Sequence, residues 1–163
     1  MKPAALQRIF LRASIPRIRL TAVQPAAASD AEGEVWLGPR ACWAAGFAEF
    51  EHVEVHNLTR GVRFAGLLRF GRERELTLTQ PAGLLMLPGD AIRISAYVWL
   101  PEEAVARHTA IFVHVDPRNH VTEFHEVAVR EIPLDPRSFP LPPPRVTVAV
   151  PPFDVPTGIP SQE

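Results

Sequence analysis

The histidines and their neighbouring carboxylates are the first residues whose types and spacing could do chemistry. His52, Glu54 and His56 alternate along a segment rich in valine, so on an extended strand all three share one face. Such a trio offers general acid–base groups or metal ligands, and equally makes an ordinary solvated strand face. A second grouping holds His114, Asp116, His120, Glu123 and His125. Asp116-Pro117-Arg118-Asn119 has the composition of a turn, and a hairpin there is expected to bring His114 and His120 together. Neither group has a tight metal-ligand spacing, and no metal site is assigned. Lys2 is the only lysine among 17 basic residues, so the other sixteen are arginines. A Schiff-base lysine and a P-loop lysine are therefore excluded within the body of the chain. Cys42, the only cysteine, excludes an internal disulfide and a cysteine-based zinc site, and is expected as a small buried side chain. Trp36, Trp43 and Trp99 read first as core or subunit-interface residues.

Those side chains need elements to hold them. The chain has 163 residues, of which 47% are hydrophobic and 21% charged, which fits one domain with an appendage. The formal net charge of −1 argues against a dedicated nucleic-acid binder. No segment approaches the roughly 20 apolar residues of a membrane span, and Arg8 and Arg12 interrupt the apolar start, so a cytoplasmic protein is expected. Runs rich in β-branched or aromatic residues recur at 15–23, 53–57, 63–69, 76–79, 91–100 and 110–115, punctuated by glycine and proline. A helix is expected over 39–48, with proline in its first turn and Gly46 at its end, and a shorter one starting at Pro101. Six or more strands with one or two short helices argue for a small closed β-barrel. Ten of the 18 prolines lie in residues 131–163. The division expected is a barrel over 1–130 and a proline-rich extension over 131–163, with an extended segment at 140–144, an edge strand at 145–150 and a loose end.

The order of several short segments resembles bacterial aspartate 1-decarboxylase, a pyruvoyl enzyme family. They are Leu6-Gln7, Arg17-Ile18-Arg19-Leu20-Thr21, Glu32-Gly33, Ala44-Ala45-Gly46, the 57–61 turn, Arg63-Phe64, Pro88-Gly89-Asp90 and Leu100-Pro101-Glu102-Glu103-Ala104. The resemblance covers roughly residues 5–120 and implies a six-stranded double-psi β-barrel in a homo-oligomer, a tetramer with pockets between neighbouring subunits. Members of that family cleave themselves between a glycine and a serine, and the serine becomes the pyruvoyl group. Here the matching dipeptide is Gly33-Glu34, and no Gly-Ser, Gly-Thr or Gly-Cys dipeptide occurs in the chain. An N-to-O acyl shift needs a β-oxygen that glutamate lacks, so no pyruvoyl cofactor is expected.

Other family positions are also altered. Ser14 stands where the resemblance implies a substrate-contacting lysine, Pro16 for a histidine, and Leu67 for the proton-donating tyrosine. The only tyrosine, Tyr97, lies on a different strand. Arg63 matches the arginine that holds the substrate carboxylate, a role suited to a permanently charged, bidentate group. Arg60 is expected as a plain surface arginine. About five extra residues within 24–31 precede Gly33, and the turn after β-strand 76–79 reads Thr79-Gln80-Pro81-Ala82. The implied pocket is lined by Arg63, Ser14, Trp36, His56, Leu67, Thr79 and Gln80, with Glu34 at its mouth, near Arg63, as an acid–base candidate. The function expected is a cofactor-free acid–base reaction on a small carboxylate or β-dicarbonyl metabolite: cyclisation, dehydration, isomerisation or decarboxylation. Analogy extends this to natural-product biosynthesis. A non-catalytic ligand-binding or regulatory paralogue is the alternative, and a working aspartate decarboxylase the least favoured reading.

Overall fold

The computed structural model of the chain describes residues 6–25, 33–80 and 84–130. Expectations for the proline-rich extension, for most of the 24–31 insertion and for Pro81 and Ala82 lie outside them. The described elements run β1 (Gln7–Arg19), β2 (Ala22–Pro25), β3 (Gly33–Leu37), α1 (Pro39–Ala45), β4 (His52–Asn57), β5 (Val62–Phe70), β6 (Leu76–Gln80), β7 (Ala91–Pro101), α2 (Glu102–Val105), β8 (Thr109–Val115) and β9 (Val121–Ala128). The strands form one curled sheet in the order β2-β6-β3-β5-β4-β7-β1-β8-β9. Parallel pairs β1–β8, β2–β6 and β3–β5 interrupt an otherwise antiparallel ladder.

Among the described residues nine strands replace the six expected. The run at 15–23 divides because Leu20 and Thr21 leave the ladder, their amides donating to the carbonyls of Asp90 and Leu76 at 2.9 Å each. β1 instead extends backwards to Gln7 along β7, with register shifts at Leu11/Ala13 and Ile15/Ile18 that curl the sheet. β3 is short and contains Gly33, and β9 carries Glu123, His125 and Glu126, so neither has the apolar density that marks a strand in sequence.

The alternation of side chains builds the core. In β3, Gly33, Val35 and Leu37 turn inward while Glu34 and Trp36 turn outward; in β4, Val53, Val55 and Asn57 turn inward while His52, Glu54 and His56 face out. Ile15, Leu37, Leu68, Leu76, Leu78, Ile92 and Ile94 are fully buried between the curled walls. Gly66 faces Gly33 across the β3–β5 pair, and a Cβ on Gly66 would lie 2.9 Å from the Gly33 carbonyl oxygen, so this approach admits only glycine. α1 starts with Pro39 in its first turn, as expected, and runs only to Ala45, short of the expected 48, because Gly46 takes a left-handed φ of 65°.

A buried polar knot ties β4 to β7. Asp90 accepts from Arg60 Nε at 2.7 Å, Asn57 Nδ2 at 2.7 Å and the Leu87 amide at 3.0 Å, all on one carboxylate oxygen. Arg60 is exposed, as expected of a surface arginine, but it is also the structural partner of a buried carboxylate. Burial pushes the Asp90 carboxyl up, but these donors outweigh it and hold it below its ordinary value.

Candidate functional site

The outward faces of β4, β5 and β7 adjoin. His56 stands opposite Arg63 and Arg93, Glu54 opposite Ala65 and Ser95, and His52 opposite Leu67. The expectation that His52, Glu54 and His56 share a face therefore holds, because all are even-numbered positions of one regular strand. At one end of this face lies a groove of about 520 Å³ lined by Ile9, His52, Glu54, Arg63, Phe64, Ala65, Tyr97 and Trp99. Arg63 is exposed there and forms no salt bridge among the described residues. The Tyr97 hydroxyl reaches Glu54 Oε1 at 3.4 Å. Burial first, then the charge and hydrogen bond of Glu54, raise the Tyr97 phenol above its ordinary value, with Ser95 and the Arg63 guanidinium pulling the other way. The phenol consequently stays protonated at neutral pH. Trp99, 63% exposed, and Ile9, 54% exposed, supply an apolar wall.

The groove contains an arginine, a carboxylate, a phenol and an imidazole. That set can hold an anion and move protons. Tyr97 was discounted in sequence because it sits on another strand, yet β7 pairs with β4 and delivers the ring to the same groove. No local signal could have placed it there, because the pairing of β4 with β7 joins segments about forty residues apart.

The remaining sequence candidates separate. Glu34 does not pair with Arg63. Its carboxylate accepts from Trp36 Nε1 at 3.0 Å and from Arg69 at 3.0 Å, and Arg69 also binds Glu49 at 3.1 Å. The Arg69 guanidinium lies 4.7 Å from the Trp36 ring centroid and 4.8 Å from that of Phe50. Glu34 and Trp36 thus belong to a partly exposed charge and aromatic cluster. Leu67, paired with both Glu34 and His52, separates it from the groove. Ser14 is buried against Ser95, hydroxyl to hydroxyl at 3.2 Å. Thr79 is buried, and its carbonyl sits against Gly33. Gln80 lies in β6 beside Pro25. His56 neighbours Arg63 on the strand face but does not line the groove.

The expected approach of His114 to His120 does not occur. The turn forms, with the Asn119 amide on the Asp116 carbonyl at 2.9 Å, but the register sets His114 against Glu123. His114 stacks on His125 at 5.3 Å between ring centroids. His120 turns to the other end of the sheet, where its Nδ1 meets Asp116 at 3.0 Å and its Nε2 meets Arg74 at 3.1 Å. An arginine can only donate, so Nε2 accepts and the proton sits on Nδ1. Among the described residues, no three His, Cys, Asp or Glu side chains come together to hold a metal ion. No described helix is long and apolar enough to cross a membrane.

Comparison with known proteins bears on this geometry. The sequence pattern of the family described as Aspartate decarboxylase matches residues 6–122. The chain is 32% identical over 118 residues to the aspartate 1-decarboxylase of Hydrogenobaculum sp. (strain Y04AAS1), covering 72% of this chain and 91% of that one. It is 36% identical over 117 residues to the aspartate 1-decarboxylase of Salinibacter ruber, covering 70% and 77%. A third relative, from Tolumonas auensis, is 30% identical over 131 residues, covering 79% and 98%.

Proposed function

The chain belongs to the aspartate decarboxylase family, and from that premise we propose that it is a non-processing member whose Arg63 groove performs an acid–base reaction on a small carboxylate or β-dicarbonyl compound. The residues do not suit a pyruvoyl group. Glu34 follows Gly33 in β3, carries no β-hydroxyl, and has both carboxylate oxygens engaged by Trp36 and Arg69.

One observation carries the proposal: Arg63, without a salt-bridge partner among the described residues, opens onto the same groove as the Glu54–Tyr97 pair. Its guanidinium would take the substrate carboxylate in a two-pronged grip. The bound molecule's carbonyl oxygen would replace Glu54 as the acceptor of the Tyr97 hydroxyl. Glu54 would then remove a proton from the adjacent carbon. The C–H electron pair becomes the C=C bond, and the carbonyl oxygen takes the Tyr97 proton. Return of a proton at another carbon completes an isomerisation, and loss of a β-hydroxyl as water completes a dehydration. Glu54 and Tyr97 are favoured over Glu34 because Glu34 is already satisfied. Assembly as a homo-oligomer, by likeness to the family, would enclose this open groove, and the aspartate handled by the named relatives is of the ligand class that Arg63 suits.

Two measurements test the reading. Denaturing electrospray should give one species at 18.1 kDa, and two fragments meeting at Gly33-Glu34 would overturn the non-processing part. Proton NMR in deuterium oxide, across a panel of small carboxylates and β-keto acids, should reveal α-proton exchange that Glu54→Gln abolishes and Tyr97→Phe slows by roughly 10²-fold or more. Exchange that survives both substitutions would remove the pair from the mechanism. Arg63-dependent binding without any exchange would identify a ligand-binding paralogue instead.

A further inference from the structure

β9 closes one end of the sheet, and its residues from Thr122 to Ala128 are all exposed. Only its first two residues, Val121 and Thr122, fall within the part of the chain that matches the family. Its pairing with β8 decides which backbone groups remain open. The Val129 amide donates to the His108 carbonyl at 3.0 Å, one step outside the Thr109–Ala128 pair. In an antiparallel ladder that alternation turns the amides and carbonyls of Glu123, His125 and Val127 toward β8. Those of Phe124, Glu126 and Ala128 point away, as a template for another strand, while Thr122 sits in the irregularity opposite His114 and turns back toward β8.

We propose that the strand taken up is β9 of a second copy of this chain, antiparallel and centred on Phe124. The backbone alternation permits only registers in which outward-turned residues face one another, which excludes any that oppose Glu123 to Glu126. Among those permitted, centring on Phe124 sets Glu123 opposite His125 of the second copy, and by symmetry does so twice. Phe124 meets Phe124 as a pair exchanging both backbone hydrogen bonds. Centring on His125 or on Glu126 puts Glu123 or His125 opposite Val127, with no polar partner across the pair.

The opposite face of β9 supports the same register. Trp43 of α1, 75% exposed, packs edge-on to Phe124 with ring centroids 5.8 Å apart, and Phe124 is itself 49% exposed. A two-fold axis at Phe124 lines up two such pairs, tryptophan outside and phenylalanine inside, and covers an aromatic surface that a lone chain leaves to water. The contact uses no residue of the Arg63 groove, so it stands or falls apart from the proposed function.

Register-specific cross-linking of the full chain tests it. Cys42 is buried and its thiol is pushed up to about 12, so it is silent under mild oxidation. Positions 123 and 125 of the two copies face each other as a pair without mutual backbone bonds, with Cα atoms roughly 4.5 Å apart, within reach of a disulfide. Positions 123 and 123 lie on a diagonal about 7–8 Å apart, beyond comfortable reach. Mixing Glu123→Cys with His125→Cys protein should therefore yield a disulfide-linked heterodimer in clear excess over either homodimer. In sedimentation equilibrium, Glu123→Lys should weaken the dimerisation step on the order of tenfold, and adding His125→Glu should restore it. Absence of the heterodimer, equal yields of all three species, or a charge reversal that its partner substitution does not rescue would each overturn the proposal.

Discussion

Replacing Asp90 with alanine removes the single oxygen on which Arg60, Asn57 and the Leu87 amide converge. Asn57 is fully buried, so its orphaned amide nitrogen costs about 1–3 kcal/mol. The Leu87 amide adds roughly 1 kcal/mol. Arg60 keeps 27% of its side chain in water, so its lost charge-assisted bond counts for the lower part of the usual range, about 1 kcal/mol. Together these give roughly 3–5 kcal/mol for Asp90→Ala. Asp90→Asn keeps an oxygen able to face the three donors and loses only the charge, so roughly 1–2 kcal/mol is expected. Urea unfolding at pH 7 should show Asp90→Ala shifted by about 2 M and Asp90→Asn by well under half of that. The pH dependence carries the sign of a depressed carboxyl. The stabilisation is complete above the unfolded-state value near 3.9 and is lost as pH falls through the lower folded-state value, so the gap between wild type and Asp90→Ala should close in acid. Equal destabilisation by alanine and asparagine would refute the convergent geometry, and a gap constant down to pH 2 would refute the charged state of Asp90.

Gly66→Ala forces a Cβ to 2.9 Å from the Gly33 carbonyl oxygen and should destabilise by about 1–3 kcal/mol, read as a lowered melting temperature. Asn119 holds the Arg19 amide at 2.9 Å and carbonyl at 2.8 Å through its side chain while adopting a φ of 62°. Asn119→Ala should therefore cost roughly 1–3 kcal/mol, and Asn119→Gly less, because glycine relieves the left-handed strain but not the lost bonds. Burial of Cys42, assisted by the nearby Glu73 charge, pushes its thiol up to about 12, so alkylation should be negligible at pH 8 in the native protein and complete in 6 M guanidinium; rapid native labelling would show that α1 opens.

Much of the scaffold is a local matter. The runs at 53–57, 63–69, 76–79, 91–100 and 110–115 each become a strand within a residue or two, because β-branched density and glycine–proline punctuation act over a few residues. The same locality explains α1, whose proline start and left-handed glycine stop need no distant partner. Family membership was likewise legible in the order of short segments. What spans the fold was not. Whether Arg60 or Arg63 is the free guanidinium depends on Asp90, thirty residues beyond Arg60, folding back beneath it. Whether Glu34 meets Arg63 or Arg69 depends on the parallel register of β3 with β5, which sets Glu34 opposite Leu67 and Trp36 opposite Arg69. His114 meets His125 because an irregularity between His114 and Val115 sets the hairpin register, and nothing in the turn residues counts that shift in advance. Sequence alone determined five of the strands and the first helix, which charges were available and that the glycine before Glu34 lacks a hydroxyl neighbour. Only the tertiary structure decided which charges neutralise one another and which face the groove, because pairing energy depends on register and burial, and both are properties of strands distant in the chain.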